Sequence, residues 1–325
     1  MIAVGALLVG GCAVGERPVL TEEGIQEVAP GGAAADTIPP GDTATSPLPG
    51  ADALGPAPPV LISPTGVVVP VLERTAAGYR VRTPCGNEAD LVWGQPVRSA
   101  DVVLDAGHGG DERGAIGPSG ETEAELNLDI ARRAAASLDS QGVTAVLTRT
   151  GDYRIPISNR AAIADQLSAQ VFVSIHHNSP TPDPSAGPGT EVYVQVGSEA
   201  SRRLGGLVHE EVTGALSSFD VAWSARTDAG VLTVVNGDGE NAYGINRYPT
   251  TPSVLAELAY LSNPSEAAVL ATTEYRQAAA DALARAIVRY LRTADPGSGF
   301  VETPRLFNPS DTTGGTDGCV DPALG

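Results

Sequence analysis

In VFVSIHHNSP (residues 171–180) a run of apolar, strand-forming residues ends in two adjacent histidines, in a chain that has four histidines in all. Apolar residues at both alternating positions mark a strand buried on both faces, as in a largely parallel or mixed sheet covered by helices on either side. Successive side chains of a strand point to opposite faces. Phe172, Ser174 and His176 therefore share one face, and His177 cannot aim at the same point unless the strand has already ended.

Working outward, the same kind of strand recurs at 101–106, 143–149, 190–196 and 254–258, and helical periodicity fills the intervals at about 123–140, 157–168, 198–218, 264–271 and 273–293. Thr122 with Glu125 three residues on forms a capping pair for the first helix, which should stop at Gly142. Asn263, Pro264 and Glu266 open another. Ala279, Leu283, Ile287 and Leu291 stripe the last. The expected fold class is α/β: a single three-layer α/β/α domain over 99–294, around a twisted, mixed, largely parallel sheet. A β-hairpin segment at 64–98 should precede it, where GVVVPVLERTAAGYRVRTP alternates about TAAG and Pro70 suggests an edge strand. Residues 295–325 read as a C-terminal tail.

The chain carries a formal net charge of −19, which argues against a nucleic-acid partner bound through a general phosphate field. Forty-two per cent hydrophobic residues suffice for a core, mostly aliphatic, since only 4% are aromatic. MIAVGALLVGGC (1–12) is an apolar run ending in Val9-Gly10-Gly11-Cys12, like the end of a bacterial lipoprotein signal, although no Lys or Arg precedes it. The expectation is an exported protein of the cell envelope, anchored through lipid on Cys12. Residues 13–63, rich in Pro, Gly, Ala and Thr, read as a disordered tether reaching roughly 40 Å. Cys85 and Cys319, an even pair in an exported chain, are expected to be bonded, for an upper estimate of roughly 4–5 kcal/mol. A monomer is expected.

In open α/β sheets functional groups gather beyond the carboxyl ends of strands, and three such ends carry ionisable residues: DAGHGG, VSIHHNS and VLAELAY. His108 sits on a glycine-rich turn, placed as a metal ligand or a general base. Among the acids of GETEAELNLDIARR, Glu121, Glu123 and Glu125, the helix dipole accounts for one or two. Glu123 leans toward the buried face marked by Leu126 and Ile130, whereas Glu125 suits the cap. Glu257 stands in an apolar run, where burial raises its pKa toward the range of a general acid or base. Two histidines and a glutamate, with one carboxylate left free, match the make-up of a catalytic zinc site.

DAGHGG, the TEAELNL helix start, RIPISNRAAIA, VSIHHN and SVLAELAYLSNPSEA occur in this order. The ordered set resembles the zinc-dependent N-acetylmuramoyl-L-alanine amidases of the amidase-3 type, over about 101–293. The resemblance implies a peptidoglycan hydrolase that binds one Zn2+ through His108, Glu123 and His176 and uses Glu257 as catalytic carboxylate. Ala106, His177 and Ala259-Tyr260 stand where the family pattern usually has Pro, Ala and Gly-Phe; none of these is a ligand. His177 is thus an extra residue that could line the cleft and touch substrate, His209 a packing or surface residue, and Arg160 a structural group near the strand ends. The long stretch 221–250 should shape the groove or gate it, without an occluding helix. The alternatives are a zinc peptidase acting within the stem peptide and a non-catalytic wall-binding lipoprotein.

Overall fold

The computed structural model describes residues 56–308 and 314–325. The leader read at 1–12, with Cys12, and the tether read at 13–63 lie, as far as residue 55, outside the described residues. The last residues of that tether stretch already form structure: Val60–Ile62 is the first strand of an antiparallel sheet. This sheet comprises β1 (Val60–Ile62), β2 (Val68–Thr75), β3 (Gly78–Arg82), β4 (Glu88–Leu91) and β5 (Gln95–Val97), in the order β4-β3-β2-β1-β5. The hairpin expected about TAAG is β2–β3. Pro70 does not mark an edge strand, because β2 lies between β1 and β3. The missing N–H is accommodated by division of labour: β1 pairs with Val68–Pro70, whereas β3 pairs with Val71–Thr75 across a bulge.

The chain then enters the α/β unit. Its elements are β6 (Val102–Ala106), α1 (Glu123–Asp139), β7 (Ala145–Leu147), α2 (Ile157–Gln166), β8 (Val171–Asn178), β9 (Glu191–Val194) and α3 (Glu199–Leu216). There follow β10 (Val231–Leu232), β11 (Val234–Val235), α4 (Gly244–Arg247), β12 (Ser253–Tyr260), α5 (Pro264–Leu270), α6 (Thr273–Arg292) and β13 (Arg305–Leu306). The central sheet runs β10-β9-β12-β8-β6-β7. β12, β8, β6 and β7 are parallel; β9 runs antiparallel to β12 and carries β10 parallel to itself. This is the mixed, mostly parallel α/β sheet expected.

Each strand feeds both faces. Val102, Leu104, Val173, Ile175 and Ala256 pack under α1, α3 and α6 through Leu126, Ile130, Leu204, Val208, Leu283 and Ile287, all buried. Val103, Phe172 and Leu255 face the other way, onto Ile163 of α2 and Leu167 at its C-terminal cap, and onto Val60 and Val68 of the antiparallel sheet. The second cover is therefore part helix and part sheet. The stretch 221–250 contributes two short strands and the four-residue α4.

The segment read as a tail also packs on the domain. Val301 donates its N–H to the carbonyl of Val231 (2.8 Å), β13 pairs in parallel with β11, and Cys319 is disulfide-bonded to Cys85. Asp321 accepts hydrogen bonds from Thr83, the Cys85 N–H and Asn87 (2.7–2.9 Å), so the C-terminal segment closes on the antiparallel sheet.

Candidate active site

β6, β8 and β12 end side by side, and their last residues carry the chemistry. β6 runs into Gly107-His108-Gly109-Gly110. His108 has a φ of 62°, a left-handed conformation uncommon for a non-glycine residue. Two buried arginines hold that turn. Arg149 donates to the carbonyls of Ala106, Gly107 and Ala124 (2.7–3.0 Å), and Arg160 to those of Ala106, His108 and Ile155 (all 2.7 Å). Arg160 also pairs with Asp105 at 2.8 Å, and Asp105 accepts from Thr148 and Ser174, both at 2.6 Å. Burial alone would raise the Asp105 pKa, but the Arg160 charge and these hydroxyls hold it below the usual value. Arg160 is thus the structural group expected. Asp105 and Arg149 escaped the sequence reading, although an aspartate in DVVLDA invites the same burial argument as Glu257.

Glu123 opens α1 and leans inward. Its Oε1 lies 2.9 Å from His176 Nδ1 and its Oε2 3.2 Å from His108 Nε2. The carboxylate also accepts the N–H groups of Ala115 (2.8 Å) and His177 (3.0 Å). Against the cost of burial, the hydrogen bonds and charges of the two histidines hold its pKa well below the usual range. Glu125 instead takes part in the cap with Thr122, and Glu121 accepts from Ser119 N.

The ligand atoms of His108, Glu123 and His176 all lie within 4.8 Å of one another. A two-nitrogen, one-carboxylate set of that size fits a single divalent ion of the zinc type. Glycine makes the fit sterically feasible: a Cβ on Gly107 would stand 2.3 Å from the His176 ring, and one on Gly114 2.4 Å from Glu123 Oε2.

Glu257 is the register partner of His176 on one side and of Glu191 on the other. It lines the same cavity as His108 and His176, and its Oε2 is buried without a partner among the described residues. Burial first, then the charges of Glu123 and Glu191, push its pKa well above the usual carboxylate range.

Residues 102–289, more than half of the chain, match the family described as N-acetylmuramoyl-L-alanine amidase. The chain belongs to this amidase family. It is 34% identical to the uncharacterized protein YqiI of Bacillus subtilis, over 64% of this chain and 90% of that protein. It is 32% identical to the N-acetylmuramoyl-L-alanine amidase AmiA of Salmonella typhimurium, over 60% of this chain and 77% of the relative. Among solved structures, the amidase AmiC2 of Nostoc punctiforme superposes with a TM-score of 0.50 at 33% identity, covering 59% of this chain and 96% of that one. An amidase from Clostridium difficile 630 gives 0.52 at 27% identity, covering 60% and 98%.

Within this amidase the two adjacent histidines part company, as strand alternation requires. His176 faces the cavity. His177 points to the other side of β8, 2% exposed, with Nδ1 2.8 Å from Asn127 Oδ1 and Nε2 3.1 Å from the Tyr275 hydroxyl. It packs and does not line the cleft, and burial pulls its pKa down to about 3. His209 on α3 is partly buried against Gly299 of the C-terminal segment. Tyr243 and Ile245, from the 221–250 stretch expected to shape the groove, line the cavity, whereas Glu191, fully buried and bound by Arg305, and the cavity-lining Phe307 escaped the sequence reading.

Proposed function

We propose that this chain hydrolyses the amide bond between N-acetylmuramic acid and the L-alanine of the peptidoglycan stem, as a zinc enzyme with His108, Glu123 and His176 as ligands. The observation that carries this is the cluster of those three side chains beside a free, proton-hungry Glu257, in one cavity of a chain of this family. Zinc, when bound, supplies Lewis-acid polarisation of a carbonyl and a lowered pKa for water. Glu257, with an oxygen free of partners among the described residues, takes the proton of the attacking water and returns it to the departing alanine nitrogen. Its raised proton affinity suits both halves of that transfer. Glu123 and the two imidazoles turn their ligand atoms toward one another and would hold the ion between them, while the N–H groups of Ala115 and His177 orient the Glu123 carboxylate. Arg149 and Arg160 fix the turn that carries His108.

We further propose export and lipid anchoring through Cys12, with the stretch up to residue 55 as a tether, 56–98, which includes β1, as an accessory segment and 99–294 as the catalytic domain. The lipobox-like start and a wall substrate support this reading. Among the described residues no helix is long and apolar enough to cross a membrane.

The test is a digest of purified peptidoglycan by the full chain, with and without chelator, read by mass spectrometry. Intact stem peptides with a free N-terminal L-alanine, lost on chelation and restored by zinc, are expected. Shortened stems still attached to sugar would make the enzyme a peptidase. No product from a folded, zinc-loaded protein would make it a wall-binding protein.

A further inference from the structure

The cavity that holds His108, His176 and Glu257, about 300 Å³, is lined partly by Phe307 and Gly314. Both lie outside the family-matched stretch of 102–289. Phe307 is held there from two directions. Its N–H donates to the Val235 carbonyl (2.9 Å) as β13 pairs with β11. Two residues before it, Arg305 makes a two-pronged pair with fully buried Glu191 (both contacts 2.9 Å) and another with Asp228 (2.8 and 2.9 Å). Glu191 is itself the cross-strand neighbour of Glu257, so the anchor of the segment lies one strand from the catalytic carboxylate.

Phe307 ends a file of three rings. Tyr193 stacks on Tyr243 with centroids 5.3 Å apart and planes 2° from parallel, and Tyr243 stacks on Phe307 at 5.3 Å and 29°. Tyr193 is 4% exposed, whereas Phe307 retains 41%. Tyr243 occupies one face of the outermost ring, and the ring still presents surface to the catalytic cavity. An exposed aromatic ring on a built, rigid stack is a platform for a flat apolar group. On the proposed substrate the scissile amide joins a lactyl group on a pyranose to L-alanine. The alanine methyl is too small to cover an aromatic face. The C–H face of the sugar ring matches it in size and polarity.

Resting on the proposed amidase activity, we infer that Phe307, positioned by the Arg305–Glu191 pair, is a substrate-contacting residue that stacks on the N-acetylmuramic acid ring. The C-terminal segment thereby completes the glycan side of the site.

The experiment compares the full-length, zinc-loaded chain with Phe307→Ala and Phe307→Trp on two substrates that share the scissile bond. One is a soluble disaccharide–stem peptide, the other the same peptide acylated by D-lactate without sugar. For Phe307→Ala the KM on the sugar substrate should rise about five- to tenfold with kcat within about twofold. Cleavage of the sugar-free substrate should not change, and Phe307→Trp should restore KM. Equal losses on both substrates, or none on either, overturn the subsite. Equilibrium binding of the peptide-free disaccharide needs no turnover and separates the two readings. Tighter binding to the wild type than to Phe307→Ala, with no peptide released by the wild type, would keep the glycan subsite and remove the amidase. Equal binding to both would remove the subsite alone.

Discussion

Glu257 and His177 are both ionisable residues in apolar strands, and their environments assign them opposite duties. His177 is fully partnered by Asn127 and Tyr275, so its buried polarity is satisfied and its role is packing. Glu257 has a buried oxygen with no partner among the described residues, in the field of two further carboxylates, so it stores free energy that a proton would release. Glu257→Gln removes that charge at constant volume. Turnover should fall about 10²–10⁴-fold. Bound zinc should stay at one per chain, because the three ligands are untouched, and the thermal midpoint should be unchanged or higher. Elemental analysis, melting and peptide release check the three parts, and a variant retaining near-wild-type turnover would deny Glu257 its catalytic role.

At the scale of elements, the glycine turn after β6 is held in its strained form by Arg160 of α2 and by Arg149, just past the end of β7. Arg160 on α2 reaches Asp105 at the end of β6, and both are nearly inaccessible to solvent. Removing one partner of such a buried pair leaves the other charge uncompensated, so Asp105→Asn should cost about 3–5 kcal/mol. The pair also predicts a pH dependence. The folded Asp105 pKa lies below its ordinary 3.8, so its contribution is complete above that value and is lost as pH falls through the folded pKa. Urea midpoints measured from about pH 5 down to about pH 2 should fall more steeply for the wild type than for Asp105→Asn; parallel curves would rule out this linkage. Three helix starts also carry local side-chain caps. Thr122, Asn263 and Thr272 cap α1, α5 and α6 with their own side chains, and local capping is legible in a sequence because both partners lie within three residues of each other.

Across the whole molecule, the antiparallel sheet before the α/β unit and the segment after it are joined by Cys85–Cys319, 234 residues apart. Replacing both cysteines by alanine releases a loop of that size in the unfolded state, which corresponds to a fall in the thermal midpoint on the order of 10 °C. The same loss should follow reduction of the wild type; a midpoint unmoved by either would mean that Asp321 and the strand pairing suffice. Strand alternation in VFVSIHH, the buried carboxylate in VLAELAY and the glycines around His108 pointed to the α/β class and to His108, His176 and Glu257 at neighbouring strand ends, whereas Glu123 joined them as a ligand through its lean toward the buried helix face and the family resemblance. Each is a local consequence of period, burial or backbone freedom. What only the tertiary structure decided are the long-range partners. The carbonyls gathered by Arg149, the internal place of the Pro70 strand and the closure of the C-terminal segment on Glu191 and the cavity depend on residues tens to hundreds of positions apart. Their meeting is set by how the two covering layers pack on the sheet, and no local pattern in the chain encodes that distance.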